Sequence, residues 1–372
     1  MRIALIAEDY YPQVGGIAEH VHHLALELER MGHTATVIGS HMAGDAAQDR
    51  TRPYAVHRIG RSVVIYANGG ISRITVGMRL RRQLVALLSR GQFDVVHVHG
   101  PLALTFGVIT PVAARRAGIP LVGTFHSWFP RSRGYRLFRR RLQRRLDLHR
   151  AVIAVSEPVA LAHARYFRAD WQIIPNGVNT GWYHPNGRDG RRDLRASGPR
   201  LLYLHRLEPR NNLGTLIAAM PRILAAYPNA ELVVAGDGPW RSYYERQARS
   251  FGDRVRFLGT VSDPAECYRA ADLYLCPTMR AGFGITLLEA MACGTPIVVA
   301  DNPGFRYVLD GGKAGIRLPH DKPEAWGDAV VELLGDAARR EAMGKAGVQK
   351  AGEFAWPVVA QKIVQVYERV VG

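Results

Sequence analysis

The stretch Ala281-Gly-Phe-Gly-Ile-Thr-Leu-Leu-Glu-Ala-Met-Ala-Cys-Gly-Thr-Pro296 reads as a glycine-framed turn that opens a short helix, closes at Gly294-Thr-Pro296 and passes at once into the strand Ile297–Ala300. A helix feeding directly into an apolar strand is the building step of a parallel sheet. The first turn of such a helix leaves about four N–H donors without an intrahelical partner. Gly282 and Gly284 remove side-chain bulk where a ligand would approach, so the terminus is set to receive an anion such as a phosphate. Glu289, farther along the helix, is placed to accept hydrogen bonds from a sugar diol. A tight strand-to-helix connection explains the same glycines, so this stretch alone leaves both readings open.

Outward from it the pattern repeats. Apolar runs at Ile3–Ala7, Thr34–Ile38, Val95–His99, Leu121–Thr124, Ala151–Val155 and Gln172–Ile174 alternate with helical periodicity. A second series runs through Arg200–Leu204, Glu231–Ala235, Val255–Leu258, Leu273–Cys276, Ile297–Val299 and Gly315–Leu318. Each series predicts a parallel α/β sheet with helices on both faces. A chain of 372 residues, 47% hydrophobic, exceeds what a single core usually holds. The segment Asn176–Pro199, rich in Gly, Pro, Asn and charge, reads as a linker. The expected parts are a first domain at 1–180, a linker at 181–198, a second domain at 199–352 and a terminal helical segment at 353–372. Two Rossmann-like domains facing a cleft would bind ligand at the carboxyl ends of their strands. Three cysteines, Cys267, Cys276 and Cys293, form no disulfide framework or metal cluster and fit a reducing cytosol. No signal peptide and no apolar run of about 20 residues is apparent.

Five stretches carry a resemblance: Ala281–Pro296, Gly15-Gly-Ile-Ala-Glu-His-Val21, Thr124-Phe-His-Ser127, Ile174-Pro-Asn-Gly-Val178 and Arg206-Leu-Glu-Pro-Arg210. Placed along the chain in the family's order and spanning nearly its full length, they make the chain resemble the retaining, GT-B-fold glycosyltransferases of family 4, in particular their phosphatidylinositol mannosyltransferase branch. The resemblance implies an α/β GT-B fold whose last helix crosses back to the first domain.

It also implies roles. Arg206 would clamp the leaving diphosphate, since a guanidinium holds phosphate with two parallel hydrogen bonds. Gly282, Phe283, Gly284, Ile285, Thr286 and Glu289 would hold the donor, and the Gly16 turn would reach its phosphate or sugar. His126 would contact the transferred sugar; a satisfied structural histidine is the bland alternative. Tyr66–Arg73 resembles the acceptor loop, with Tyr66 in it, Asn68 at a polyol contact and Arg73 at a phosphate contact, and Asp9 is a further acceptor-binding candidate. Asp9 stands where the family has an aromatic residue and Ala18 where it has a glutamine. Asn211 stands for a lysine, keeping hydrogen-bond donors for phosphate but no charge, and Ala281 stands for a glutamate. His97 and His99 share one strand face, but no third ligand accompanies them in the sequence, so no metal is expected.

Formal charge is +17. Nine arginines and one acid, Asp147, lie between Arg131 and Arg150. Leu137 or Phe138, with Leu142, Leu146 and Leu148, would form the packed stripe of an amphipathic helix, leaving Arg139, Arg140, Arg144 and Arg145 on a basic face. Met78–Arg90 has the same character. Such faces suit an anionic membrane surface or serve merely as solvated faces. No helix-turn-helix, stacking platform or zinc finger supports a nucleic-acid partner.

The reading is a retaining hexosyltransferase, cytoplasmic and peripheral on the inner face of the cell membrane. It would move a hexose, with GDP-mannose the favoured nucleotide-sugar donor, to a lipid-linked polyol acceptor such as phosphatidylinositol. No cofactor or metal is expected, because Arg206, the helix terminus before Thr286 and the Gly16 turn can stabilise the departing diphosphate. A membrane-associated nucleotide-sugar-binding protein that has lost transfer is the alternative.

Overall fold

The computed structural model describes residues 1–12, 15–67, 70–187 and 198–372. Two compact units emerge: Met1–Gly177 joined by Trp356–Gly372, and Val178–Ala355.

The first unit is built on an eight-stranded sheet. Its strands are β1 (Arg2–Ala7), β2 (Thr34–His41), β3 (Ala55–Ala67), β4 (Gly70–Val76), β5 (Val95–His99), β6 (Leu121–Phe125), β7 (Ala151–Ala154) and β8 (Trp171–Ile173), in the order β4-β3-β2-β1-β5-β6-β7-β8. All pairings are parallel except β3 with β4. The central strand β1 is buried from Ile3 to Ala7, as expected of a strand covered on both faces. The β3–β4 hairpin is not among the strands expected from the sequence. It forms the sheet edge, and its charged positions Arg58, Arg61 and Arg73 and exposed Val63 and Val64 erase the apolar run that marks an interior strand.

The helix Gly16–Arg30 packs its buried side, including Ala18, Val21, Leu24, Ala25 and Leu28, into the same core as the terminal helix Trp356–Val371. The terminal helix contributes Val359, Ala360, Ile363, Val364, Val366 and Tyr367, all at most 2% exposed, at helical spacing. Burying each of the larger side chains stabilises by roughly 1.5–3 kcal/mol. Its first residue, Trp356, lies over Gly177, where an added Cβ would come 2.4 Å from the indole ring.

The second unit carries six parallel strands, β9 (Arg200–Leu204), β10 (Glu231–Ala235), β11 (Val255–Gly259), β12 (Leu273–Cys276), β13 (Ile297–Ala300) and β14 (Gly315–Leu318), ordered β11-β10-β9-β12-β13-β14. The boundary differs from the sequence expectation. Residues 178–187 belong to this unit: Val178 N–H donates to the Phe354 carbonyl at 2.9 Å, and buried Tyr183 packs edge-on against Tyr268. Polar composition suggested a linker there, but the apolar anchors Val178 and Tyr183 tie it down. The remainder of the expected linker, 188–197, lies outside the described residues.

Two histidines make the first unit acid-sensitive. His149 and His163 each engage a carbonyl through Nδ1, Leu146 O at 3.0 Å and Val159 O at 2.9 Å, and burial pushes both imidazoles down to about 4. The unfolded chain takes up these protons near pH 6.5 and the folded chain only near 4. Stability is therefore full above about pH 6.5 and lost as pH falls toward 4, by up to about 3 kcal/mol per group. The thermal midpoint should fall steadily across that window; a midpoint flat from pH 7 to 4.5 would show that folding does not hold these rings neutral.

Candidate active site

In the second unit β9 runs into a tight turn that presents Arg206. Leu207 N–H donates to the Asp237 carbonyl at 3.0 Å and His205 N–H to the Ala235 carbonyl at 3.1 Å. The approach requires glycine on the facing chain: a Cβ at Gly236, where φ is +119°, would sit 2.1 Å from the His205 carbonyl, and one at Gly238 2.5 Å from that of Leu207. Glu208 is nearly fully buried and clamps two guanidinium groups, with Oε1 3.2 Å from Arg206 Nε and Oε2 3.0 Å from Arg210 Nε. Arg206 thus keeps its outer NH2 groups for a ligand while its stem is held.

Asn211 is partly engaged. It is buried, its Nδ2 donates to the Arg206 carbonyl at 2.7 Å, and its Oδ1 accepts from Thr278 Oγ1 at 3.4 Å. One of its two N–H donors is thus spent on tying the Arg206 turn, which leaves one for a phosphate.

The glycine turn lies beside this one. Gly284 N-caps the helix Ile285–Ala292 without any side-chain cap; Leu287 N–H donates to the Gly284 carbonyl at 3.1 Å, and the N–H groups of Ile285 and Thr286 stay available to an anion. A Cβ on Gly284 would meet the Phe305 ring at 3.0 Å. Phe283 points inward against Phe354 and Tyr307, so only its backbone can serve a ligand. Thr286 Oγ1 lies 3.3 Å from His205 Nε2, and Met279 N–H donates to the Arg210 carbonyl at 2.9 Å. These two hydrogen bonds lock the arginine turn to the helix terminus. Glu289, half-buried, accepts from Tyr268 Oη at 2.9 Å through Oε2. The second unit therefore assembles guanidinium, uncapped amides and a carboxylate, the donor set for a phosphate beside a polyol.

In the first unit Gly15 caps the helix Gly16–Arg30, again with no side-chain cap and with open space where a Cβ would be. Past the end of β1, burial raises the Asp9 carboxyl, opposed by the charge of Arg73. Its neighbour Glu8 accepts through Oε1 from Thr75 N–H at 3.1 Å and Phe106 N–H at 3.2 Å, and burial pushes it up to about 7 against those bonds. Glu8 thereby ties β1 to β4, the strand that carries Arg73. Arg73 Nη1 donates to Ser62 Oγ at 3.2 Å. Asn68 and the Tyr66 side chain lie outside the described residues.

His126 follows β6 and stands in a cluster. Its Nε2 is 3.4 Å from His99 Nδ1, and its ring meets the His20 ring edge-on at 4.8 Å. Burial holds all three imidazoles well below their ordinary range, so they are neutral at pH 7. The sequence offered no third partner for the His97–His99 pair; in space His20 and His126 join His99. His97 stands apart chemically, with Nδ1 on Tyr367 Oη at 2.6 Å and Nε2 on Thr124 Oγ1 at 2.7 Å.

Comparison with known proteins decides the family. Residues 14–182 match Glycosyltransferase Family 4 and residues 191–350 match Glycosyl transferases group 1. Over all of its length the chain is 33% identical to the phosphatidyl-myo-inositol mannosyltransferase of Mycobacterium tuberculosis, covering 98% of that protein, and 32% identical to that of Mycolicibacterium smegmatis, covering 95%. The chain belongs to glycosyltransferase family 4. The crystal structure of the Anabaena protein HepE in complex with UDP superposes with a TM-score of 0.83 at 20% identity, across 99% of this chain and all of that one, which matches the GT-B fold.

This glycosyltransferase, retaining as its family is, carries Arg206, the glycine turn and Glu289 in its second unit. Sequence reasoning passed over Glu208, which holds Arg206, and the Gly236 and Gly238 contacts beneath it; Glu208 lay inside a quoted motif, but nothing in spacing marks which carboxylate is buried. The basic helix is Arg133–Leu146, with Arg139, Arg140 and Arg144 exposed and Arg145 half-buried. Its packed stripe holds Leu142 and Leu146 as expected, with Tyr135 in place of Leu137, Phe138 and Leu148. Leu137 is 76% exposed because it lies five residues from Leu142, about 140° around the helix, and Phe138 is 51% exposed at the stripe's edge. Leu148 falls beyond the helix end. In the second basic helix, Leu80–Gly91, Leu80, Leu84 and Leu88 are buried, and exposed Met78 precedes it.

Proposed function

We propose that the enzyme transfers mannose from GDP-mannose to an inositol lipid at the inner face of the cell membrane, with retention at the anomeric carbon. The observation that carries this reading is the full-length likeness to mannosyltransferases of inositol lipids. The chemistry of the two units supports it. Arg206 and the uncapped amides before Thr286 would take the diphosphate, Glu289 a diol of the donor, and the Gly16 turn and His126 the sugar. Asp9 and Arg73 would take the polyol and phosphate of the acceptor. The departing phosphate takes the acceptor proton as the new bond forms on the same face. Charge developing on the leaving group is met by Arg206 and the helix terminus, so turnover needs no metal. Ala281 removes one carboxylate from the sugar pocket, and Asn211 one charge from the phosphate pocket.

Donor choice is read by isothermal titration. GDP-mannose should bind at least about tenfold tighter than UDP-glucose; equal or reversed affinities would overturn the mannosyl assignment.

The exposed arginines of the basic helix, with Leu137 and Phe138 protruding among them, favour a lipid surface. Among the described residues no helix is long and apolar enough to cross a membrane. Each basic side chain near an anionic surface contributes about 1 kcal/mol. Changing Arg139, Arg140, Arg144 and Arg145 together to glutamine should therefore abolish most co-sedimentation with vesicles containing phosphatidylserine, while donor binding is kept. Wild-type binding should fade as salt rises. Equal sedimentation of the two proteins would leave the helix a solvated face.

A further inference from the structure

The histidine cluster of the first unit has chemistry that the transfer reaction does not use. His20, His99 and His126 each offer one ring nitrogen, and these nitrogens lie within 4.8 Å of one another. His20 and His99 are 1% and 3% exposed. Both have an Nε2 that is buried without a hydrogen-bond partner, a cost that a folded chain normally avoids. His20 engages Asn176 Oδ1 at 2.9 Å through Nδ1, which places the proton on Nδ1 and leaves the Nε2 lone pair free. A ligating histidine whose other nitrogen donates to a carbonyl oxygen is the common outer-sphere arrangement at metal centres. His126 is only half-buried, which leaves an approach for an ion.

We propose that His20, His99 and His126 form a binding site for a borderline divalent transition metal such as Zn2+. Three neutral imidazoles without a carboxylate select Zn2+, Co2+, Ni2+ or Cu2+ and reject Mg2+ and Ca2+, which require oxygen donors. Metal–nitrogen bonds are about 2.0–2.1 Å, so tetrahedral ligand nitrogens lie about 3.4 Å apart. Binding requires the nitrogens, now within 4.8 Å of one another, to close to that spacing. Three protein ligands leave the fourth position open to water or substrate. His97 is excluded from the set although its ring centroid is 4.0 Å from that of His99, because both its nitrogens bond groups outside the cluster, whereas the 3.4 Å contact of His99 Nδ1 with His126 Nε2 lies within it. On the reading that His126 contacts the transferred sugar, an ion held there inhibits transfer; binding itself does not depend on that reading.

The test uses the full chain, stripped of metal and titrated with CoCl2. One Co2+ per chain should give the intense visible d–d absorption of a tetrahedral site, displaced by one equivalent of Zn2+. His126→Gln, at the half-buried position, should keep the fold by circular dichroism and weaken Co2+ binding at least about a hundredfold. Asn176→Ala, which removes the side chain that bonds both His20 and His126 from outside the ligand set, should weaken it about 10–100-fold. His41→Gln, at the exposed His41–Asp45 pair, should bind as wild type does. Weak octahedral absorption alone, or a tetrahedral band that survives His126→Gln, would overturn the site. Tetrahedral binding without inhibition of transfer would keep the site and overturn the sugar-facing role of His126.

Discussion

Replacing Arg206 with alanine is expected to lower kcat for sugar transfer by about 10²–10³-fold, the usual loss when one preorganised donor to developing negative charge is removed. The guanidinium is 42% exposed, with its Nε held by Glu208 and its outer NH2 groups unengaged by any described residue. It is thus oriented before the donor arrives. The leaving diphosphate gains charge as the glycosidic bond breaks, so the loss should appear more in kcat than in donor KM. Lysine at 206 keeps the charge but not the fork, and should recover only part of the rate. The thermal midpoint should change little, because the side chain covers no core. Near-normal turnover in a folded Arg206→Ala protein would remove the arginine from the reaction.

Gly304→Ala is expected to cost about a hundredfold in kcat/KM although residue 304 would touch no substrate. A Cβ there would lie 2.6 Å from the Ala281 carbonyl and 2.7 Å from both Gly282 C and Phe283 N. Those atoms are backbone, so the glycine turn must move by roughly an ångström to restore van der Waals distance. A displacement of that size in a binding group is enough to cost about 10²-fold. Folding should survive, since the first-turn glycine of a short helix is replaced by a good helix former. The two variants separate two ideas. Arg206→Ala removes a charge, whereas Gly304→Ala keeps every donor and spoils only its position. Unchanged donor binding and turnover in Gly304→Ala would mean that the turn from Gly282 to Thr286 does not hold the donor.

Much of this was legible in the sequence. The six strands of the second unit and six of the eight in the first follow from apolar runs of the length a doubly covered strand requires. The turns at Gly15 and Gly282 follow from glycine placed just before a helix. What escaped did so for physical reasons. The β3–β4 edge carries arginines where an interior strand carries valine. Tyr183 anchors a stretch whose glycines, prolines and asparagines resemble a linker. Asn211 reads as a donor to phosphate, and only the structure shows that its amide also donates to the Arg206 carbonyl. His20 sits on a helix 79 positions before His99, so no spacing rule joins them; only the packing of Gly16–Arg30 beside β5 and β6 does.

The central claim is transfer of mannose to an inositol lipid. It is tested most directly by incubating the purified wild-type chain with GDP-mannose and vesicles containing phosphatidylinositol, then identifying the lipid product by mass and by the configuration of its anomeric proton. The account predicts a phosphatidylinositol product one hexose heavier, α-linked, formed without added metal and absent when Arg206 is alanine. A wild-type protein that binds GDP-mannose yet yields no mannosylated lipid, or yields the β-anomer, would contradict it.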